Sequence, residues 1–170
     1  MKIKYLAICC AAIAGLSVTI PVMAQTATAS GSMQVQIAIT ANCAVTGTST
    51  TLDFGSQVST ATGPASANNG GFSVSCTNGT QYKVGLKPVS TDSNDGVGKM
   101  SADPDNGEFI EYTLYQDSAS TVWGNDVNTN VKSGTGNGQV QAHTVYGKTT
   151  STLNVAAATY RDTVAINVYY

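Results

Sequence analysis

The sequence predicts an all-β sandwich or barrel, and three observations carry that prediction. Short runs in which apolar and polar residues alternate recur from Met33 to the last residue, Tyr170. Turn chemistry separates them, including Asn78-Gly79, the strongest short hairpin signal, and Asn106-Gly107, a second hairpin-type dipeptide. No stretch carries the i, i+3, i+4 spacing of a convincing amphipathic helix. No repeat of 20–50 residues and no linker divides the chain, so the expectation is one domain.

Residues 1–24 read as a secretory signal. Lys2 and Lys4 give a positive start, Leu6 to Ile20 is largely apolar, and Val22-Met23-Ala24 offers small residues before a cleavage at Gln25. The apolar run is short for a membrane span and no second one follows, so no membrane insertion is expected. Cys9 and Cys10 leave with the signal; the short apolar run ahead of them, ending in Ile8, argues against a lipoprotein.

Removing the signal takes two of the 8 Lys and Arg and none of the 10 Asp and Glu, so the exported chain is more acidic than the formal −2 of the whole. Such a chain has no basic stripe for nucleic acid or anionic lipid. The remaining length is enough for one domain with a core.

Residues 25–40 form an amino-terminal extension. Gln25 to Ser32 has little to bury, whereas Met33 to Thr40 alternates strictly. A strand there puts Met33, Val35, Ile37 and Ile39 on one face and Gln34, Gln36, Ala38 and Thr40 on the other. Such a strand can pack into its own domain or leave to complete a neighbour's sheet.

The domain proper is expected over residues 41–170. Cys43 and Cys76 are an even pair in an oxidising compartment, and a disulfide between them is the default reading. Chain-entropy arithmetic gives about 4 kcal/mol of stabilisation for the loop it closes.

Thr51 to Gly55 reads as a brief strand, Gly71 to Cys76 as an alternating one, and Tyr82, Val84 and Leu86 as a third after the Asn78-Gly79 turn. Pro88 ends that third strand or confines it to an edge. Residues 90–107 read as a polar loop closing on Asn106-Gly107. Ile110, Tyr112 and Leu114 share one face, with Phe109 and Tyr115 on the other, which suggests a strand buried on both sides. Trp123 follows in a turn-rich stretch that runs to Gly138. Val140 to Tyr146, Leu153 to Val155 and Tyr160 to Tyr170 complete the set; the last carries Val164, Ile166, Val168 and Tyr170 in alternation.

Catalytic signatures are hard to find, and the sequence predicts no enzyme, no metal site and no cofactor. His143 is the one histidine and lies in a strand pattern without an evident nucleophile, which favours a satisfied or solvent-facing side chain. The loops at Asp92–Gly96 and Asp103–Glu108 resemble calcium loops weakly; their glycines stand one position early, and surface turns are the better reading. Trp123 with nearby tyrosines could stack on sugars, but a lone Trp in a β-protein is more often core.

Taken in order, Leu52-Asp53-Phe54-Gly55, Ser73 to Thr80, Tyr112 to Asp117, Val145-Tyr146-Gly147 and Tyr160 to Tyr170 resemble the spore coat protein U domain family. Within it they resemble the subunits of archaic chaperone–usher pili of the Csu type. The similarity runs the length of the exported chain. The Leu-Asp-Phe-Gly, the paired cysteines and the Tyr-x-Asp-Thr ending carry it jointly.

The resemblance implies an incomplete immunoglobulin-like β-sandwich that lacks one strand and is completed by donor-strand exchange. Strand addition in chaperone–pilin pairs is a known mode of β-augmentation. Carried onto this sequence, Met33, Val35, Ile37 and Ile39 become the donor residues. Val164, Ile166, Val168 and Tyr170 become the acceptor-groove strand that a chaperone also binds. Burying the four donor side chains supplies roughly 6–12 kcal/mol before entropic costs.

The implied partners are a periplasmic chaperone, an outer-membrane usher and like subunits in a homopolymeric fibre. The implied location is a surface pilus supporting adhesion and biofilm formation. Two alternatives stand beside it: a spore- or cell-coat protein that forms no such fibre, and a secreted carbohydrate-binding module using Trp123.

Overall fold

The computed structural model describes residues 28–61, 63–118, 120–150 and 152–170. The signal reading of residues 1–24 lies outside the described residues. Among those described, every regular element is a strand, and no helix is long and apolar enough to cross a membrane. The chain divides into two units, Met1–Ile37 and Ala38–Tyr170.

Of the first unit, residues 28–37 are described, and they belong to no sheet. Met33, Val35 and Ile37 are 85%, 88% and 83% exposed, and Ile39 just beyond is 73% exposed. The alternation expected of a strand is thus present in the sequence without any ladder to use it.

The second unit holds nine strands: β1 (Cys43–Thr50), β2 (Ser66–Cys76), β3 (Gln81–Pro88), β4 (Val97–Asp103), β5 (Phe109–Tyr115), β6 (Lys132–Thr135), β7 (Val140–Thr149), β8 (Thr159–Arg161) and β9 (Val164–Tyr169). Sheet one runs β1-β2-β7-β5-β4-β8 and sheet two β6-β3-β9, with all pairs antiparallel. Strands with one apolar face must bury it against another layer, and here two sheets do so around one core. That core is Phe72, Val74 and Cys76 of β2, Tyr82, Val84 and Leu86 of β3, Tyr112 and Leu114 of β5, Val145 of β7 and Trp123. Trp123 is fully buried, and its indole N–H donates to the Val84 carbonyl at 2.8 Å. A smaller cluster gathers around Ala65, Ile110 and Leu153.

Several expectations are corrected. The brief strand at Thr51–Gly55 makes no ladder; Asp53 instead exchanges two hydrogen bonds with the side-chain amide of Asn69, which stands in for a strand partner. The polar loop at 90–107 contains β4, and the stretch after Trp123 contains β6. Neither strand shows an apolar alternation in the sequence, because a glycine occupies an inward position in each. Gly98 and Gly134 leave the space that the rings of Tyr112 and Tyr82 fill from the opposite strand.

Asn106-Gly107 does close a hairpin, between β4 and β5. Asn78-Gly79 does not: it carries the chain from β2 in one sheet to β3 in the other, with the Gly79 N–H donating to Gly136. β5 is not buried on both sides in full, since Phe109 is exposed beneath the Lys99 ammonium, 4.4 Å from its ring centroid. Leu153–Val155 is a tight turn rather than a strand, closed by Val155 N–H on the Leu153 carbonyl.

The terminal run is two strands. β8 edges sheet one beside β4, and β9 edges sheet two beside β3. The chain turns between them at Asp162, whose carboxylate accepts from the Tyr112 hydroxyl at 2.7 Å, the Ser90 hydroxyl at 2.6 Å and the Thr163 N–H at 2.7 Å. Burial, then the bond to Asp162 and its charge, push the Tyr112 phenol well above its ordinary range.

Candidate functional site

Cover over the core thins at two edge strands, and the strand registers say where. In β1 and β2, Cys43 stands opposite Cys76 and Val45 opposite Val74. Directly opposite residues of an antiparallel pair share a face. Val74 and Cys76 are buried in the core, so Cys43 and Val45 also face inward. Cys43 is nonetheless only partly buried, and Val45 is 43% exposed.

The same holds on the second sheet. Val84 opposes Val168, Leu86 opposes Ile166 and Pro88 opposes Val164. Val84 and Leu86 are fully buried, so the three β9 residues face the core, yet all three are only partly buried. Both β1 and β9 are edge strands, and each has a ladder on one side alone. Core-facing apolar side chains that stay only partly covered thus lie on two edge strands, each laddered on one side alone.

Of the residues singled out in the sequence, Val164, Ile166 and Val168 are brought together here. Tyr170 falls beyond the last ladder pair and is exposed. Cys43 and Cys76 are disulfide-bonded across a Cα separation of 4.1 Å, which fixes the start of β1 to β2. Val45 was not foreseen. The signal lay in Cys43-Ala44-Val45: once Cys43 is paired with Cys76, a period of two brings Val45 to the inward face.

The chain immediately before β1 is tied down. The Thr77 N–H donates to the Asn42 carbonyl at 2.9 Å, and the Asn42 N–H donates to the Thr77 hydroxyl at 3.1 Å. That hydroxyl also reaches the carbonyls of Asn42 and Thr40 at 3.3 and 3.4 Å.

The other candidate residues lead elsewhere. His143 is buried against Phe72 in a stacked arrangement with centroids 5.4 Å apart, and its Nε2 lies 3.3 Å from the Tyr82 hydroxyl. Burial first, and the nearby Lys132 charge second, hold its pKa below the ordinary value. Trp123 is inaccessible and offers no stacking platform. The acidic loops spend carboxylates on their own turns, Asp95 accepting from Val97 N–H and Asp105 from Gly107 N–H. Among the described residues no group of three or more His, Cys, Asp or Glu is arranged to hold a metal ion.

Among solved structures, the chain is similar to one in the CsuC–CsuE chaperone–tip adhesion subunit pre-assembly complex from archaic chaperone–usher Csu pili of Acinetobacter baumannii. The match has a TM-score of 0.53 and 19% identity and covers 78% of this chain and 40% of that one. At that identity the likeness is one of fold, an immunoglobulin-like sandwich. A chain from a chaperone–tip adhesin complex of CFA/I fimbriae biogenesis aligns at a TM-score of 0.37 and 15% identity, over 64% of this chain and 36% of that one. The chain therefore spans less than half the length of these solved chains. No curated protein sequence matches it. The family model of the Spore Coat Protein U domain matches residues 29–167, from the exposed segment ahead of β1 into β9, and the chain belongs to that family.

Proposed function

We propose that this chain is a structural subunit of a secreted surface pilus assembled by the chaperone–usher pathway. The segment Met33–Thr40 of one copy completes the sandwich of the next. The observation that supports this best is the set of core-facing residues left uncovered on two edge strands, Cys43 and Val45 on β1 and Val164, Ile166 and Val168 on β9. The chain also carries an exposed segment with the complementary pattern. Its four apolar side chains recur at every second position, and in a strand they would stand about 6.6–6.8 Å apart, the spacing of the inward positions on β9.

Backbone pairing along β9 makes addition tolerant of sequence, and side chains at alternate positions supply the missing core. An uncovered groove in a monomer is an aggregation hazard, so a periplasmic chaperone holds it during export. An outer-membrane usher then exchanges the chaperone's strand for the segment of the next subunit. Family membership and the fold shared with a Csu complex support these partners and a location on the cell surface, where such a fibre serves adhesion and biofilm formation.

Co-expression with a chaperone and usher, followed by electron microscopy, tests the proposal. Fibres containing the chain are expected. Secreted protein that stays monomeric with both partners present would refute it and return the coat-protein reading.

A further inference from the structure

β9 poses a mechanical question. It is an edge strand laddered to β3 alone, and its inward residues Val164, Ile166 and Val168 are only partly buried. A strand held so thinly should fray. The groove nevertheless needs β9 in register before any strand arrives.

The outward face supplies the missing restraint. Asn167 and Tyr169 point away from the core, since Val84, Leu86, Ile166 and Val168 point into it. The Asn125 Oδ1 accepts from the Asn167 side-chain amide and from the Tyr169 hydroxyl, each at 3.0 Å. Asn125 is itself anchored: its N–H donates to the Asn94 carbonyl at 2.9 Å and its Nδ2 to Asn94 Oδ1 at 3.0 Å. Just before it, the Gly124 carbonyl accepts from Leu86 N–H at 2.8 Å, and Trp123 is locked in the core.

The path of the side chain is built for this reach. Asn125 crosses the outer face of β3 at Gly85, the residue paired with Asn167, and a Cβ at position 85 would collide with the Asn125 Oδ1 and Cα. The bare surface of Gly85 is the passage through which Asn125 holds β9.

We propose that Asn125, admitted by Gly85, is a positioning residue that keeps β9 ordered in the empty acceptor groove. The assignment rests on the donor-strand reading above. A groove ordered in advance spares the incoming strand the cost of ordering β9. Loss of the restraint lowers the competent population, and capture slows in proportion.

The test uses the full exported chain carrying Ile37→Asp, which disables its own segment as donor, and a fluorescent peptide of sequence Met33–Thr40. Stopped-flow gives the association rate, and hydrogen exchange reports β9 amides. Asn125→Ala is expected to slow capture about tenfold and to speed β9 exchange. Gly85→Ala, which evicts Asn125 without deleting it, should do the same. The Gly85→Ala/Asn125→Ala double variant should be no slower than either single, because both act through one contact. Tyr169→Phe, which removes a single hydroxyl, should slow capture a few-fold and keeps the test open if the larger changes impair folding. Leu153→Ala, in the smaller cluster, should lower stability without slowing capture, which a purely structural role for Asn125 would not separate. Capture by the Asn125 and Gly85 variants at the reference rate, or additive effects, would overturn the assignment alone. A reference chain that takes up no peptide overturns the donor-strand reading and this assignment with it.

Discussion

Val45 and Val74 stand directly opposite one another on β1 and β2, yet Val74 is fully buried and Val45 is 43% exposed. Two residues on one face, a strand apart, ordinarily share one environment. The contrast marks the line along which the core stops, and the mutational expectations follow from it.

Ile37→Asp separates the two uses of the first segment. In a strand of its own domain, the change would bury a charge and break the fold. In a donor strand it spares the subunit and spoils what is offered to the neighbour. The expected outcome is a chaperone-bound subunit at near-normal yield that donates to no other copy, with Gln36→Asp on the opposite face much milder. Loss of the chaperone-bound subunit itself would place the segment in its own core.

Val45→Asp is the complementary change. On the proposed donor-strand reading, the carboxylate is solvated before a strand is taken up and becomes buried afterwards. Burying it costs at least about 3 kcal/mol, so strand uptake should weaken by more than about 100-fold. This variant still donates. Mixing it with the Ile37→Asp variant should therefore give pairs that grow no further, and size-exclusion chromatography with light scattering measures this. Longer species would show that β1 is not a wall of the groove.

The disulfide closes a separation of 33 positions, and its removal should cost about 2–5 kcal/mol. Replacing both Cys43 and Cys76 with Ala, and comparing urea midpoints with the parent, checks the figure. An unchanged midpoint would mean that the bond contributes nothing to stability.

His143 sets an expectation for mild acid. Its folded pKa lies below the ordinary 6.5 because burial opposes the charged form, whereas the unfolded chain titrates normally. The unfolded state thus binds the extra proton first, and stability falls as pH drops from above 6.5 toward the folded value. Urea midpoints at pH 7.5, 6.5 and 5.5 should decline for the parent and stay flatter for His143→Gln. Equal slopes would remove His143 as the cause.

Much of the fold could be read in advance because alternation survives wherever inward positions are apolar. Val74 and Cys76, Val84 and Leu86, and Tyr112 and Leu114 each declared a strand, and all six are core. Reading failed where an inward position is empty by design. Gly98 and Gly134 give their space to tyrosines of the partner strand, so β4 and β6 carry little period of their own. It failed again at Asp162, because nothing local shows that one alternating run turns from sheet to sheet around a carboxylate that binds Tyr112 and Ser90. Of the site, the β9 side was legible in Val164, Ile166 and Val168. The β1 side was not, since the Ser, Thr and Gly of Cys43–Thr50 show no apolar alternation, and only the Cys43–Cys76 pairing points Val45 inward.

The position of that cystine has a consequence for tension. Cys43–Cys76 is the first rung of the β1–β2 ladder, and a pull on the chain ahead of Cys43 reaches it once the Asn42–Thr77 hydrogen bonds give. Without the crosslink, such a pull would unzip β1 from its end, one rung at a time. With it, the load passes at once to β2, which has a strand on each side and must shear many bonds together before it yields. The crosslinked loop also withholds about 110 Å of slack, at 3.3–3.6 Å per residue. A filament strung together through that segment places all its junctions in series under drag, and in each one the covalent link sits where tearing would begin.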